Sequence, residues 1–215
     1  MKMIVDEKYC YGEETYLTVH KTSVFFPGDG FVAYDSHGQL LFRFESYGPG
    51  SRPIDEIVLM DASGKSLLTL SRKKPSLHQR WEGYFGEKKE DQEPLFTTHR
   101  SSIIGRSEVL VEVYGDADEE YHIQGSYTKR CCTFYKSSRQ NSSREPVAEI
   151  KRKVDPTTHA MLGKDVFLLV VKPAFDCAFA MSLVLILDQM YGDRDVSDDG
   201  EDRHDVGTIL EASAP

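Results

Sequence analysis

One segment near the C-terminus restricts the possible folds more than any other part of the chain. It covers residues 174–191, AFDCAFAMSLVLILDQMY, and between Cys177 and Leu187 its only polar side chain is Ser182. Ala, Met and Leu favour helix, and the flanking Pro173 and Gly192 are typical of helix ends. A helix that is apolar on every side is buried in a membrane or in a protein core. Crossing a bilayer takes about 20 residues, whereas the apolar run has 11. The sequence therefore predicts a core helix over about residues 174–191.

Most of the chain before this helix is typical of short β-strands. Val109, Val111 and Val113, for example, alternate with Leu110 and Glu112, which leaves one apolar face. We count roughly twelve strands among the candidate ranges 16–20, 24–26, 31–34, 40–46, 56–61, 67–72, 81–85, 94–98, 108–113, 121–125, 132–136, 147–153 and 166–171. Their even spacing favours an antiparallel barrel or sandwich.

The size of the helix decides between these folds. A helix with its side chains is about 10–12 Å across, and an eight-stranded barrel is already filled by its own side chains. The fluorescent-protein barrel that encloses a helix has about eleven strands. We therefore predict a mainly β fold, an about twelve-stranded closed antiparallel barrel that encloses a hydrophobic C-terminal α-helix. The alternative is a sandwich with the helix packed on one sheet.

The 215 residues are expected to form one barrel domain over residues 1–192, followed by a tail over residues 193–215. The tail has eight acidic residues, two arginines and no aromatic residue, so it is predicted to be disordered. The first six residues show no signal-peptide pattern, and the four cysteines show no disulfide framework. These features indicate a cytoplasmic protein, with the nucleus and the periphery of the plasma membrane as alternatives.

No catalytic constellation emerges from the sequence. The seven histidines have no metal-ligand spacing, and no nucleophile elbow, P-loop or dinucleotide-binding motif occurs. Cys177 lies in the apolar helix, where a thiol is inert. Cys131 follows Lys129 and Arg130, which would lower its pKa, but a cysteine of a strand or loop is the better interpretation. We expect no enzyme activity, no metal site and no cofactor.

The distribution of charged residues along the chain gives the only indication of a ligand. The net charge of −9 argues against nucleic-acid binding. Residues 129–153, however, hold eight basic and two acidic side chains. A basic residue near an anionic membrane contributes about 1 kcal/mol. The candidate residues for binding lipid head groups are Lys129, Arg130, Arg139, Arg144, Lys151, Arg152 and Lys153. The alternative is a solvated charged surface without a ligand.

Motifs in a familiar order run through nearly the whole chain before the tail. They are Val5–Cys10, Phe31–Asp35 with Gly38–Phe42, Leu77–Trp81 with Tyr84–Gly86, Gly125–Tyr127, and Gly163–Asp165 with Asp176, Ala178–Phe179 and Leu183–Asp188. On these motifs the chain resembles the LURP-one-related proteins, a plant family with a tubby-like fold. It departs from the family pattern in a long basic loop over residues 137–144 and in the acidic tail.

The resemblance implies a twelve-stranded barrel around a hydrophobic helix, a link to plant defence and no catalysis. Relatives in the wider tubby class bind phosphoinositides and are tethered at membranes, although this sequence shows no tubby motif on which lipid-contact residues can be placed. Our leading hypothesis is a non-enzymatic binding module for anionic phospholipid head groups. The second hypothesis is a protein-interaction adaptor in defence signalling that has no lipid ligand and uses the tail or a barrel edge as its contact.

Overall fold

Twelve strands and one α-helix make up most of the regular structure in the computed structural model, which describes residues 4–21, 30–45, 55–102, 108–115, 119–138 and 141–192. A short 3₁₀ helix covers Glu7–Tyr9. The strands are β1 Thr15–Lys21, β2 Gly30–Tyr34, β3 Leu40–Glu45, β4 Glu56–Asp61, β5 Ser66–Arg72, β6 Trp81–Phe85, β7 Phe96–Arg100, β8 Val109–Val113, β9 Glu119–Ser126, β10 Cys131–Ser138, β11 Asn141–Arg152 and β12 Val166–Val171. The helix α1 covers Cys177–Tyr191.

The twelve strands form a closed barrel in which each strand pairs with its neighbours in the chain. Closure comes from the antiparallel pairing of β1 with β12, from Thr15 opposite Val171 to His20 opposite Val166. The predicted antiparallel barrel is thereby confirmed, and the sandwich is not the architecture observed. The candidate strand 24–26 and the tail 193–215 lie outside the described residues. Because the chain reverses direction at every strand, alternate connections lie at the same end of the barrel.

The helix α1 fills the inside of this barrel. Thirteen of its residues are buried, and Phe179 has no exposed surface. The Phe179 ring lies 5.0 Å from the ring of Phe96 and 5.5 Å from that of Tyr121, measured between ring centroids. These are tilted or edge-to-face contacts of the kind that aromatic rings prefer. The prediction of a buried helix is confirmed. No helix in the described part of the chain is both long and apolar enough to cross a membrane.

The start of the helix is fixed by a buried carboxylate. We predicted a start near Ala174, but the helix begins at Cys177 because Asp176 is its N-cap. Oδ1 of Asp176 accepts hydrogen bonds from the backbone N–H of Ala178, at 2.9 Å, and of Phe179, at 3.1 Å. These N–H groups have no partner within the helix, and an N-cap side chain supplies one.

The second oxygen of the same carboxylate holds the N-terminal segment. Oδ2 of Asp176 accepts from the backbone N–H of Val5, at 2.8 Å, and of Asp6, at 3.2 Å. Burial raises the pKa of Asp176 above its ordinary value, and the four N–H donors oppose this rise. One side chain thus joins the start of α1 to residues about 170 positions earlier in the chain.

Replacing Asp176 with alanine should lower the free energy of unfolding by about 3 kcal/mol, because an N-cap contributes about 1 kcal/mol and each buried donor left without an acceptor costs about 1–3 kcal/mol. Urea denaturation followed by circular dichroism measures this loss. A matched control is Asp35→Ala, since Asp35 accepts from the N–H groups of His37 and Gln39 in an exposed turn. The control should lose less than about 1 kcal/mol, because water replaces its carboxylate. Equal losses would contradict the role assigned to burial.

Candidate functional site

The two ends of the barrel carry opposite charge. One end, which we name the basic end, holds the described parts of the connections 46–55, 73–80, 101–108, 127–130 and 153–165, with seven basic and four acidic residues. The other, the acidic end, holds the segment 4–14 and the described parts of the connections 35–39, 62–65, 86–95, 114–118 and 172–176, with five basic and ten acidic residues. The helix runs between them, with Cys177 at the acidic end and Tyr191 at the basic end.

Three of the predicted head-group residues lie together at the basic end. Lys129 is exposed in the turn between β9 and β10. Arg152 ends β11, is exposed, and its Nη2 donates to the carbonyl oxygen of Leu162 at 3.3 Å. Lys153 follows it and donates from Nζ to Oγ1 of Thr18 at 2.7 Å. The contact with Leu162 holds the Arg152 side chain at this end, whereas the contact with Thr18 holds the ammonium of Lys153 against the outer face of β1.

Two predicted residues lie on strand β11 in the outer wall of the barrel, and both are in ion pairs. Lys151 forms an ion pair with Glu149 on its own strand. The guanidinium of Arg144 lies 2.7 Å from Oε1 of Glu108, where the two groups form an ion pair. Arg139 lies outside the described residues.

Arg130 is part of the core rather than of the surface. Only 6% of it is exposed, and its backbone has a left-handed φ of 52°. Its guanidinium packs over the ring of Tyr127 at 4.1 Å and over that of Phe167 at 4.3 Å, and Nε donates to the carbonyl oxygen of Lys164 at 2.8 Å. Such cation–π contacts stabilise a cation away from water. Arg130 therefore supports the turn that presents Lys129 and is not placed to contact a head group.

Sequence reasoning missed the other basic residues of this end. Lys164 is exposed in the connection between β11 and β12, and Lys73, Lys74 and Arg80 are exposed in the connection between β5 and β6. Nζ of Lys73 lies 2.9 Å from a carboxylate oxygen of Glu82, which leaves more than half of the lysine side chain exposed. The sequence analysis did not consider which connections the barrel topology brings together. A barrel of consecutive antiparallel strands places alternate connections together, so charge had to be counted over alternate connections rather than along the sequence.

A cavity of about 1000 Å³ opens beside Lys129. Arg100, at the end of β7, and Tyr191, at the end of the helix, also line it. The guanidinium of Arg100 lies 5.1 Å from the ring centroid of Tyr191. Glu108 is the acidic residue of the lining. Although burial raises its pKa, hydrogen bonds from Gln124 and Arg144 lower the pKa overall, so Glu108 is ionised at neutral pH and its charge is paired.

A buried ion pair lies beneath this end of the barrel. Nζ of Lys21 is 3.3 Å from Oδ1 of Asp188 on the helix, and both side chains are less than a tenth exposed. The hydroxyl of Tyr127 donates to the same Oδ1 at 3.2 Å. Burial raises the pKa of Asp188, and Lys21 opposes the rise. The pair ties the C-terminal part of the helix to β1 and to the turn that carries Lys129.

Two of the four cysteines are buried. Burial raises the pKa of Cys132 and of Cys177 to about 12, so both thiols are protonated at neutral pH. Within the described residues, no group of three or more His, Cys, Asp or Glu side chains is placed to hold a metal ion.

Comparison with known proteins links the chain to one family. A sequence model of the family described as LURP-one-related matches residues 15–188. Protein LURP-one-related 5 of Arabidopsis thaliana is 57% identical over 94% of this chain and 94% of its own length. Protein LURP-one-related 12 of the same plant is 54% identical over 94% of this chain and 90% of its own length. An X-ray structure of a protein from Arabidopsis thaliana superposes with a TM-score of 0.64 at 26% identity, covering 87% of this chain and 98% of that one.

Proposed function

The chain belongs to the LURP-one-related family, and from this premise we propose that it is a non-enzymatic module whose basic end binds anionic phospholipid head groups. We place its action in plant defence, at the cytoplasmic face of the plasma membrane. This is the setting that the family resemblance implies.

The separation of charge between the two ends carries the proposal. A protein with a net charge of −9 is repelled as a whole by an anionic bilayer. Its basic end, however, has seven basic residues against four acidic ones in the described connections. Charges farther away than about 10 Å are screened at physiological salt. A membrane that faces the basic end therefore interacts mainly with that end, while the carboxylates of the acidic end are screened from it.

The cavity beside Lys129 gives this surface a place for one head group. Lys129 and Arg100 both line it, so two cations face a space of about 1000 Å³. Glu108 is already paired with Arg144, which limits its repulsion of an anion. A guanidinium and an ammonium are the side-chain groups best suited to phosphate oxygens. A phosphorylated inositol head group has the charge that such a lining accommodates.

The proposal is tested by removing Lys129 and Lys164 together, as Lys129→Ala with Lys164→Ala. Each lysine near an anionic surface is worth about 1 kcal/mol, so the affinity for phosphoinositide vesicles should fall by about 30-fold. Co-sedimentation with vesicles at low and at physiological salt measures this change. The matched control is Lys65→Ala with Lys89→Ala, two exposed lysines of the acidic end. The control should bind as the unmodified protein does.

Two results would count against this function. If the unmodified protein fails to sediment with phosphoinositide vesicles at low salt, the lipid proposal is wrong, and the protein-interaction adaptor becomes the leading hypothesis. If the protein binds neutral phosphatidylcholine vesicles equally well, charge is not what it recognises.

A further inference from the structure

The basic end also exposes large apolar side chains at two separate places. In the connection between β5 and β6, 82% of Leu77 is exposed. In the connection between β11 and β12, 44% of Val154 and 64% of Met161 are exposed. Single exposed apolar residues are common on soluble proteins, but here they occur at the tips of two connections that carry the basic residues of this end.

Val154 and Met161 form an apolar pair on a small hairpin. They are antiparallel bridge partners, so their side chains lie next to each other. The backbone N–H of Leu162 donates to the carbonyl oxygen of Lys153 at 2.9 Å, which extends the pairing beyond β11 and β12. The carboxylate of Asp155 accepts from two backbone N–H groups within the tip of the hairpin. The pair is therefore presented on an ordered extension of the barrel wall.

The two apolar places lie on opposite sides of the barrel. The connection with Leu77 and the hairpin with Val154 and Met161 are six strand positions apart in a ring of twelve strands. Each of the two connections also carries lysines. Lys73 and Lys74 precede Leu77 in the first, and Lys153 and Lys164 lie on either side of the hairpin in the second. Both apolar tips and both connections that carry these lysines therefore lie at the same end of the barrel.

We propose that Leu77 and the Val154–Met161 pair insert into the interfacial region of an anionic bilayer, so that the barrel stands on its basic end with its acidic end away from the membrane. This inference rests on the proposed function and adds the mode of contact. The lysines attract the phosphate groups, and the apolar side chains leave water for the boundary of the acyl chains, as interfacial anchors do. Binding then has a part that high salt weakens and a part that it does not.

The charge of this end favours an anionic bilayer as the occupant. An apolar pair flanked by lysines suits a surface whose phosphates lie above an apolar layer, because both kinds of side chain are then satisfied at different depths. The single tryptophan of the chain, Trp81, is only 2% exposed, so it reports little of such a contact. A new tryptophan at residue 161 can report the contact instead.

The first test compares Val154→Ser with Met161→Ser, made together, with Phe85→Ser and Tyr114→Ser, made together. The control residues are 53% and 50% exposed and lie at the acidic end. At physiological salt, the affinity of the first variant for phosphoinositide vesicles should fall by about 10-fold, because apolar burial is lost. The steepness of its salt dependence should stay the same, because its charges are unchanged. The control variant should bind as the unmodified protein does.

The second test measures depth with Met161→Trp. Emission of the introduced tryptophan should shift to shorter wavelength on vesicle binding and be quenched by lipids brominated on the acyl chain. The same substitution at Phe85 should show neither change. If the unmodified protein binds but the serine variant binds equally tightly, or if brominated lipid leaves the tryptophan at residue 161 unquenched, insertion is wrong while head-group binding stands. If the unmodified protein binds no vesicle, both proposals fail.

Discussion

Replacing Phe179 with alanine is expected to lower the free energy of unfolding by about 3–5 kcal/mol. Phe179 is fully buried on the helix, and its ring contacts those of Phe96, Tyr121 and Phe175. Alanine leaves a cavity at the axis of a closed barrel, where the surrounding strands are hydrogen-bonded on both sides and collapse poorly into the space. The loss is a large share of the roughly 5–15 kcal/mol that stabilises a typical domain.

The matched control for this change is Phe85→Ala. Phe85 ends β6 and is 53% exposed, so its loss should alter stability by only about 0.5 kcal/mol. Urea denaturation followed by circular dichroism gives both values. Similar losses for the two variants would show that the helix does not fill the barrel as described.

The second large effect is expected for Lys21→Met. Methionine is similar in length to lysine but carries no charge, so the carboxylate of Asp188 stays buried without its ion-pair partner and keeps the hydrogen bond from Tyr127. Removing one partner of a buried ion pair typically lowers the free energy of unfolding by about 3–5 kcal/mol, because the remaining charge has lost its counter-charge and is not solvated. The pair of Lys8 with Asp61 provides the control, since 46% of the Lys8 side chain is exposed. Lys8→Met should cost less than about 1 kcal/mol.

The loss in the free energy of unfolding that Lys21→Met causes should also depend on pH. Burial already raises the pKa of Asp188, and removing Lys21 takes away a group that lowers it, so the pKa in the variant rises further. A carboxyl group whose pKa is higher in the folded than in the unfolded protein takes up its proton first in the folded state. The destabilisation should therefore be largest at neutral pH and shrink as the pH falls through the raised pKa of Asp188. A cost that stays constant from pH 7 to pH 4 would contradict the assignment.

The fold was predictable because its two decisive features are local. The alternation of apolar residues marks each strand in a short window, and the apolar run from Cys177 to Leu187 marks the helix in another. The diameter of a helix then requires a barrel of more than eight strands, so the two features together predict a wide barrel around the helix. The start of the helix was placed three residues too early, at Ala174, because Pro173 was given more weight than Asp176, which is the N-cap. The contacts of Asp176 with Val5 and Asp6 could not be predicted, because these residues lie at the other end of the chain.

The candidate site was only partly predictable, because closeness along the chain is a poor guide to closeness in a barrel. Lys129, Arg152 and Lys153 lie at one end of the barrel, whereas Arg144, in the same sequence window, lies on the outer wall. Nothing in the order of residues marks Arg130 as buried. Its left-handed backbone turns the guanidinium onto Tyr127 and Phe167, and that contact exists only in the folded barrel.

The closure of β1 against β12 has a consequence for synthesis on the ribosome. Thr15 emerges long before Val171, its partner in the completed ring, and the helix that fills the ring emerges later still. A nascent chain therefore carries unpaired strand edges and uncovered apolar faces for most of its translation. Contacts between residues so distant in sequence form slowly and leave chains prone to aggregation. We expect this protein to depend on ribosome-associated chaperones, and its yield in a cell-free system to rise when such chaperones are added.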